Sequence, residues 1–320
     1  MRIDPQLGVL RSDTAARHTT QGALESVRNE WLRIAAAGIA KELVQYGDST
    51  PLDQCRQLAA LFGCEGAALS LVEALIGPML DQLAASPLGH VPLRHQRSDN
   101  FSTLQLLQEG RAALSLLCYD EIAGEPASAC FSDGDRYEIL LAGALDVAFH
   151  DLIGETASQA AIETTVRRLV VGETITCLGH RSTRSVVRVH GRCVVLRLAR
   201  SPESPADTRQ YSLRDGRLIH RASGSRTESR REMAMALLGR MGRKDAAPLL
   251  ARLASEGGDH IRWQTLRECL ALDTAIGFAA LARVAADSSD SLSSPAAALR
   301  ARLVEAHPEL AKVEISECPA

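Results

Sequence analysis

The chain has 320 residues, of which 46% are hydrophobic and 23% are charged, and its net charge is -3. This length and composition predict two or three folded domains and argue against a disordered chain. A net charge so small excludes a protein that binds polyanions over its whole surface.

The N-terminal residues and the cysteines bear on location. Asp4 and Pro5 stand where a signal peptide would need its apolar run, and no uninterrupted apolar stretch of about 18 residues follows. The eight cysteines are scattered, form no CxxC pair and in several cases lie inside apolar runs, so we interpret them as reduced core thiols. We therefore expect a cytoplasmic protein without a membrane-spanning segment.

The first 88 residues are predicted to be a helical N-terminal segment. Apolar residues at helical spacing predict one long helix over residues 21–46. Thr50, with a proline after it and an acid at the third helical position, predicts the start of a second helix that runs to about Phe62. A third helix is expected over residues 67–83, whereas residues 1–20 show no helical period.

Residues 89–222 change to a pattern typical of strands. Two short apolar runs, residues 101–107 and 112–118, flank Gly110 and predict a hairpin. Further strands are expected at residues 137–141, 145–149, 168–171, 174–177, 186–190, 194–198, 210–213 and 218–220. Many short strands with glycines between them predict an antiparallel sandwich or barrel.

Residues 223–320 contain a repeat with a period of 31 residues. The matching positions are Leu250 and Leu281, Arg231 and Arg262, and Asp259 and Asp290. Each unit reads as a helix, a break, a second helix and an acidic loop, which resembles a HEAT-like repeat in two and a half copies. A plain helical bundle also fits this pattern.

The middle of the chain resembles the cupins. Residues 136–149 are similar to the strand, glycine turn and strand that follow the first cupin metal motif, and residues 169–176 are similar to the turn before the second. With residues 101–119, the arrangement is most similar to the cysteine dioxygenase-like branch. The resemblance implies an α+β protein with a cupin-like jelly-roll barrel between the helical N-terminus and the repeats.

The resemblance also implies where a ligand would bind, and the chain departs from it there. A working cupin of this type has a His-x-His pair just before the strand that begins at Tyr137, but residues 131–136 contain no histidine. His180 is the nearest candidate for the third ligand. The resemblance implies that Arg94 holds a substrate carboxylate, and we group His95, Tyr137 and His180 with it as ligand-binding candidates.

We expect no cofactor. If a metal is bound after all, it would be iron, held by His95, His150 and His180, with His90 and His190 as further candidates. The chain carries no nucleophile elbow, no Walker loop and no dinucleotide fingerprint, so those chemistries find no support in the sequence.

One segment is strongly basic. Residues 181–231 contain thirteen arginines against four acids, so this segment carries +9 and the rest of the chain about -12. Arginine stripes bind phosphate backbones, but lysine is absent here and Tyr211 is the one aromatic residue. We therefore favour an intramolecular or protein-facing role for the segment and expect no nucleic-acid binding.

These observations lead to one hypothesis and two alternatives. We expect a non-catalytic binding or regulatory module that recognises a protein through its helical repeats or a small anionic ligand in its barrel. The first alternative is a metal-dependent cupin oxygenase. The second is nucleic-acid binding through residues 181–231.

Overall fold

A computed structural model describes residues 14–63, 65–86, 89–121 and 123–313. The chain divides into two compact units. The first comprises the residues up to Pro205 together with Arg209–His220, and the second comprises Ala206–Thr208 and the residues from Arg221 onwards. Each unit has its own hydrophobic core. The fold is a mixture of helices and antiparallel sheet, as predicted.

The described residues before the sheet form four α-helices: α1 (Thr14–Ile34), α2 (Ala37–Gly47), α3 (Arg56–Gly63) and α4 (Glu65–Ala85). The prediction of one helix over residues 21–46 is wrong, because the chain breaks at Ala35 and Ala36, whose N–H groups both donate to the Trp31 carbonyl. Both helices bury apolar residues in one core, so the helical spacing of apolar residues continues across the break. No glycine or proline stands at Ala35 and Ala36 to mark it.

The end of α2 is closed by Ser49, which has a positive φ of 84°. The Ser49 N–H donates to the Tyr46 carbonyl at 3.1 Å, and the Thr50 N–H donates to the Gln45 carbonyl at 3.0 Å. These bonds satisfy carbonyl groups that the helix end leaves free. Glycine adopts this left-handed conformation at lower cost than serine does.

We therefore expect Ser49→Gly to raise the free energy of unfolding by about 0.5–1 kcal/mol. Urea denaturation followed by circular dichroism measures the change. Ser26→Gly is the matched control, because Ser26 is exposed within α1. It should lower stability by about 0.5 kcal/mol. A loss of stability in Ser49→Gly would contradict the prediction.

One helix, α4, is long and apolar enough to cross a membrane by length and composition alone. However, Leu71, Leu75 and Met79 of this helix are buried in the core of the first unit. Core helices of soluble proteins meet the same criterion. The structure is therefore compatible with a soluble protein, and the cytoplasmic location stays a prediction.

The ten strands of the described residues form two antiparallel sheets. They are β1 (Arg94–Ser98), β2 (Phe101–Glu109), β3 (Ala112–Tyr119), β4 (Ser128–Phe131), β5 (Asp135–Glu155), β6 (Ala160–Leu169), β7 (Thr174–Cys177), β8 (Ser182–Arg200), β9 (Thr208–Ser212) and β10 (Leu218–Ala222). The large sheet has the order β1-β2-β3-β8-β5-β6, with β7 also paired to β5, and the small sheet has the order β10-β9-β4. The predicted β2–β3 hairpin is confirmed.

Two of these strands are much longer than predicted. Residues 137–141 and 145–149 belong to the single strand β5, and residues 186–190 and 194–198 belong to β8. The glycines between them mark irregularities inside the strands, not turns between strands. Gly143 has φ +83°, and a Cβ there would lie 2.5 Å from the Arg192 carbonyl oxygen, so glycine is required.

The large sheet carries apolar side chains on both faces. Ile139 and Leu141 of β5 pack in the core that the sheet shares with α1–α4. Glu138 and Leu140 alternate with them, and Leu140 lies in a separate core with Leu145, Val147, Val189 and Val195. Helices α1–α4 therefore cover one face of the sheet.

The second unit contains α5 (Arg226–Arg240), α6 (Ala247–Leu253), α7 (Asp259–Leu272), α8 (Thr274–Ala286) and α9 (Ser293–Ala306). The repeat-equivalent residues Leu250 and Leu281 are both buried in its core. Arg262 donates to Asp290 and to the Ala254 carbonyl, which ties α7 to the loop before it and to the loop between α8 and α9. The assignment of these helices to the HEAT class stays a prediction.

The cysteine prediction needs one correction. Cys55, Cys177, Cys193 and Cys269 are buried free thiols, as predicted, and Cys118 is half-buried. Cys130 is free but exposed, because its side chain is on the outward side of the short strand β4. Cys64 and Cys318 lie outside the described residues.

Candidate anion-binding site

A buried glutamate on β5 binds two arginines. Glu138 is 2% exposed. Its Oε2 accepts a hydrogen bond from Arg184 Nε at 2.7 Å, and its Oε1 accepts one from Arg197 Nε at 2.5 Å. Arg184 also donates to the Tyr119 hydroxyl at 3.1 Å. With the neighbouring Arg136, these residues form what we call the interior arginine cluster.

The register of β5 and β8 explains how the cluster forms. Glu138 pairs directly with Arg197, whereas Arg184 pairs with Phe149, eleven residues further along β5. Eleven residues of extended strand span about 36 Å, far more than two side chains can bridge. Since Arg184 contacts Glu138, the long strand pair must bend back so that its two halves face each other. The cluster lies between these halves, on the face that also carries Leu140 and Val195.

The charges of the cluster stabilise the ionised form of Glu138. Burial alone would raise the pKa of Glu138, but the charges of Arg184 and Arg197 outweigh burial and hold this pKa below its usual range. Burial likewise opposes the charge of Arg184, and Glu138 more than compensates, so the pKa of Arg184 is raised. Glu138 is therefore ionised and Arg184 protonated at neutral pH.

Arg136 differs from the other two arginines because it has no carboxylate within ion-pair distance among the described residues. Its Nη2 donates to the Ser182 carbonyl at 3.4 Å. Burial lowers the pKa of Arg136, and the neighbouring charge of Arg197 lowers it further. An arginine stays protonated under such conditions. The cluster thus contains three guanidinium groups and one carboxylate, an excess of two positive charges.

The cluster is accessible from one side. The side chain of Arg184 is 7% exposed, but that of Arg197 is 27% exposed, and Arg136 is half-buried. The side chains of Arg136 and Arg197 are thus partly exposed to solvent. Guanidinium groups bind carboxylates and phosphates through paired hydrogen bonds.

The predicted ligand-binding residues do not form one site. Arg94 lies on the exposed edge strand β1. His95, on the same strand, lines an apolar groove of about 360 Å³ with Met79, Leu83 and other residues of the helical layer. Tyr137 contacts Phe62, with 6.3 Å between the ring centroids, and so faces the helices. The alternation of β5 places Tyr137 and Glu138 on opposite faces of the sheet.

The predicted metal ligands are also apart. His150 is 1% exposed, and its two ring nitrogens lie 2.9 Å from the Thr164 hydroxyl and 3.2 Å from the Ser185 hydroxyl. Three strands of the large sheet separate His150 on β5 from His95 on β1, and His180 lies beyond the end of β7. Among the described residues, no group of three or more His, Cys, Asp or Glu side chains is placed to hold a metal ion. His95, His150 and His180 therefore do not lie together as ligands of one iron ion would.

Part of the arginine-rich segment forms ion pairs within the protein. Its ion pairs are Arg184 and Arg197 with Glu138, Arg192 with Asp120, Arg200 with Asp135, Arg209 with Glu155, and Arg221 with Asp207. Six of its thirteen arginines are thus matched by acids. Most of these acids lie outside the segment, which explains how a segment of +9 is compatible with a compact fold.

The sequence patterns do not identify the residues of the interior arginine cluster as a site. Glu138 stands in an apolar strand between Tyr137 and Ile139, and a buried carboxylate requires a basic partner. That signal could have linked Glu138 to the arginines of the basic segment. The bend that brings Arg184 to Glu138 could not be read from the sequence.

The comparisons with known proteins concern the fold. No protein-family model and no curated protein matches the chain. A cupin superfamily protein of Desulfitobacterium hafniense is 17% identical over 33% of this chain and 83% of its own, with a TM-score of 0.25. The cupin domain of Drosophila melanogaster CENP-C is 13% identical over 33% of this chain and 74% of its own, with a TM-score of 0.27.

An oxalate decarboxylase of B. subtilis is 9% identical over 35% of this chain and 28% of its own, also with a TM-score of 0.27. The chain is therefore similar to cupin structures over about one third of its length. At these identities and TM-scores, neither family membership nor function follows, and one fold can serve many functions.

Proposed function

We propose that the first unit is a non-catalytic ligand-binding module that holds a small anion against Arg136 and Arg197. The observation that carries this proposal is the excess of positive charge in the interior arginine cluster. Glu138 forms ion pairs with two arginines, and Arg136 has no carboxylate partner among the described residues. A charge held away from water is costly unless it is paired. An anion that binds to the exposed parts of Arg136 and Arg197 removes this cost.

The neighbouring contacts support binding over catalysis. Glu138 is fully engaged by Arg184 and Arg197, so it has no free oxygen to act as a base. The Cys177 thiol is buried, and burial raises its pKa, which disfavours the nucleophilic thiolate. The remaining polar groups are the guanidinium groups of Arg136 and Arg197, and guanidinium groups bind and orient anions.

Isothermal titration calorimetry of the full chain with acetate, succinate and inorganic phosphate at low salt tests the proposal. We expect the wild-type protein to bind at least one of these anions, and Arg136→Gln to weaken that binding by about tenfold or more. Glutamine removes the charge and keeps much of the length of the side chain.

Arg192→Gln is the matched control, because Arg192 lies on the same sheet, is 77% exposed and already pairs with Asp120. Its affinity for the anion should equal that of the wild type, and the urea midpoints of both variants should show that they are folded. Absence of binding to all three anions, or equal affinity in Arg136→Gln, would overturn the proposal.

A further inference from the structure

Helix α5 of the second unit has one side anchored in the core of that unit. Met235 is 3% exposed and accepts a hydrogen bond from the Thr265 hydroxyl at 3.1 Å. Glu232 Oε1 lies 3.2 Å from His260 Nε2, and Glu228 accepts a hydrogen bond from the Ser223 hydroxyl at 2.5 Å. These contacts fix which side of α5 faces outwards.

The outward side carries a row of large apolar residues. Met233 is 65% exposed, Leu237 is 58% exposed and Met241, just beyond the last turn, is 58% exposed. Their spacing of four residues places them along one stripe. Single exposed apolar residues are common, but a contiguous row of three marks an interaction surface.

Two arginines flank this row. Arg230 and Arg240 are exposed and make no ion pair with an acidic side chain among the described residues. The acidic side chains of α5 lie on another side of the helix, because Glu228 accepts a hydrogen bond from Ser223 and Glu232 lies beside His260. We call Arg230, Met233, Leu237, Arg240 and Met241 the α5 outer face, which is apolar along its centre and positive at its edges.

We infer that the α5 outer face is a docking surface for an amphipathic helix of a protein partner that carries acidic residues beside its apolar stripe. The stripe of Met233, Leu237 and Met241 offers a ridge against which a second helix packs. Methionine adapts to the shape of a partner, and arginine forms bidentate pairs with carboxylates. This site lies in the second unit and does not depend on the anion site proposed for the first.

The residues of the α5 outer face favour an acidic helix over a second copy of the chain or a membrane surface. A second copy of the chain would bring Arg230 and Arg240 against their own counterparts, and like charges at an interface are unfavourable. Helices that lie in a membrane surface carry several Trp, Phe or Leu residues on the apolar side, whereas the α5 outer face has Leu237 alone among these. An amphipathic helix with acidic residues can pair with both arginines and cover the apolar row.

The test uses two synthetic helical peptides with the same leucine stripe, one flanked by glutamates and the other by lysines. Fluorescence anisotropy of the labelled peptides measures their affinity for the full-length protein. We expect the glutamate peptide to bind at least about tenfold more tightly than the lysine peptide. The double variant Met233→Ser/Leu237→Ser should lose about tenfold or more of the affinity for the glutamate peptide.

Leu80→Ser is the matched control, because Leu80 is 59% exposed on a helix of the first unit. It should bind the glutamate peptide as the wild type does. The inference is overturned if neither peptide binds, if both bind equally, or if the double variant binds like the wild type. Binding to vesicles that contain phosphatidylserine, without binding to the glutamate peptide, would also overturn it and identify a membrane surface as the occupant.

Discussion

Replacing Glu138 with glutamine is expected to lower the free energy of unfolding by about 3–5 kcal/mol. Glutamine has nearly the same shape but cannot neutralise Arg184, whose side chain is 7% exposed, or Arg197. The substitution leaves buried positive charges without a counter-charge, and this cost exceeds the net value of the original ion pairs. Urea denaturation, followed by near-ultraviolet circular dichroism, measures the loss.

Glu163→Gln is the matched control for this prediction. Glu163 is exposed on β6 of the same sheet and makes no ion pair among the described residues. Its substitution should change the free energy of unfolding by less than about 0.5 kcal/mol. A loss in Glu138→Gln no larger than in Glu163→Gln would show that the interior arginine cluster does not stabilise the first unit.

Glu138 should also affect how the free energy of unfolding changes at acid pH. The pKa of Glu138 is lower in the folded protein than in the unfolded chain, because Arg184 and Arg197 outweigh the effect of burial. The unfolded chain therefore binds the proton more tightly than the folded protein does. The contribution of Glu138 is complete above its unfolded pKa and is lost as the pH falls through the folded one. The Glu138→Gln variant should lack this part of the acid denaturation curve.

The elements that the sequence predicts well are those whose local signals agree with their packing. The β2–β3 hairpin has apolar runs on both sides of Gly110, which adopts a positive φ of 52°. The sequence predicts β5 and β8 as pairs of shorter strands, because Gly143 and Gly191 are typical of turns. In the structure, hydrogen bonds to neighbouring strands continue on both sides of these glycines. Sheet pairing, which is not local, decides between a turn and a bulge.

The chemistry proposed for the candidate site agrees with the sequence-based hypothesis, but its residues differ from those predicted. The sequence points to a small anionic ligand and to an intramolecular role for the arginine-rich segment, but it selects Arg94, His95 and His180 from the cupin resemblance. Those residues depend on a family pattern that this chain lacks at residues 131–136. Arg197 reaches Glu138 through the direct pairing of β5 and β8, and Arg184 reaches it through the bend of these strands, so only the three-dimensional register reveals both contacts.

Arg200 is expected to be as important for stability as the interior arginine cluster, although no ligand is proposed for it. Its Nη1 donates to the carbonyl groups of Tyr46 and Thr50, at 3.1 Å and 3.2 Å, and its Nη2 donates to Asp135 at 2.5 Å. Its guanidinium carbon lies 4.2 Å from the centre of the Tyr46 ring. One side chain thus joins the negative end of α2 to the start of β5.

We expect Arg200→Ala to lower the free energy of unfolding by about 3 kcal/mol, since hydrogen bonds to a charged group contribute about 1.5–3 kcal/mol and the ring contact about 1 kcal/mol more. Arg200→Lys keeps the charge but not the planar fork, so it should recover less than half of the loss. Urea denaturation measures both variants against Arg192→Ala, whose exposed ion pair should contribute less than about 1 kcal/mol.

Tyr46→Phe separates the ring from the hydroxyl in the same experiment. The Tyr46 hydroxyl is buried without a hydrogen-bond partner among the described residues, so its removal should leave stability unchanged or raise it. The phenyl ring still faces Arg200, and the effect of Arg200→Ala should therefore be as large in the Tyr46→Phe background as in the wild type. If Arg200→Ala costs no more than Arg192→Ala in either background, α2 is attached to the sheet by apolar packing alone.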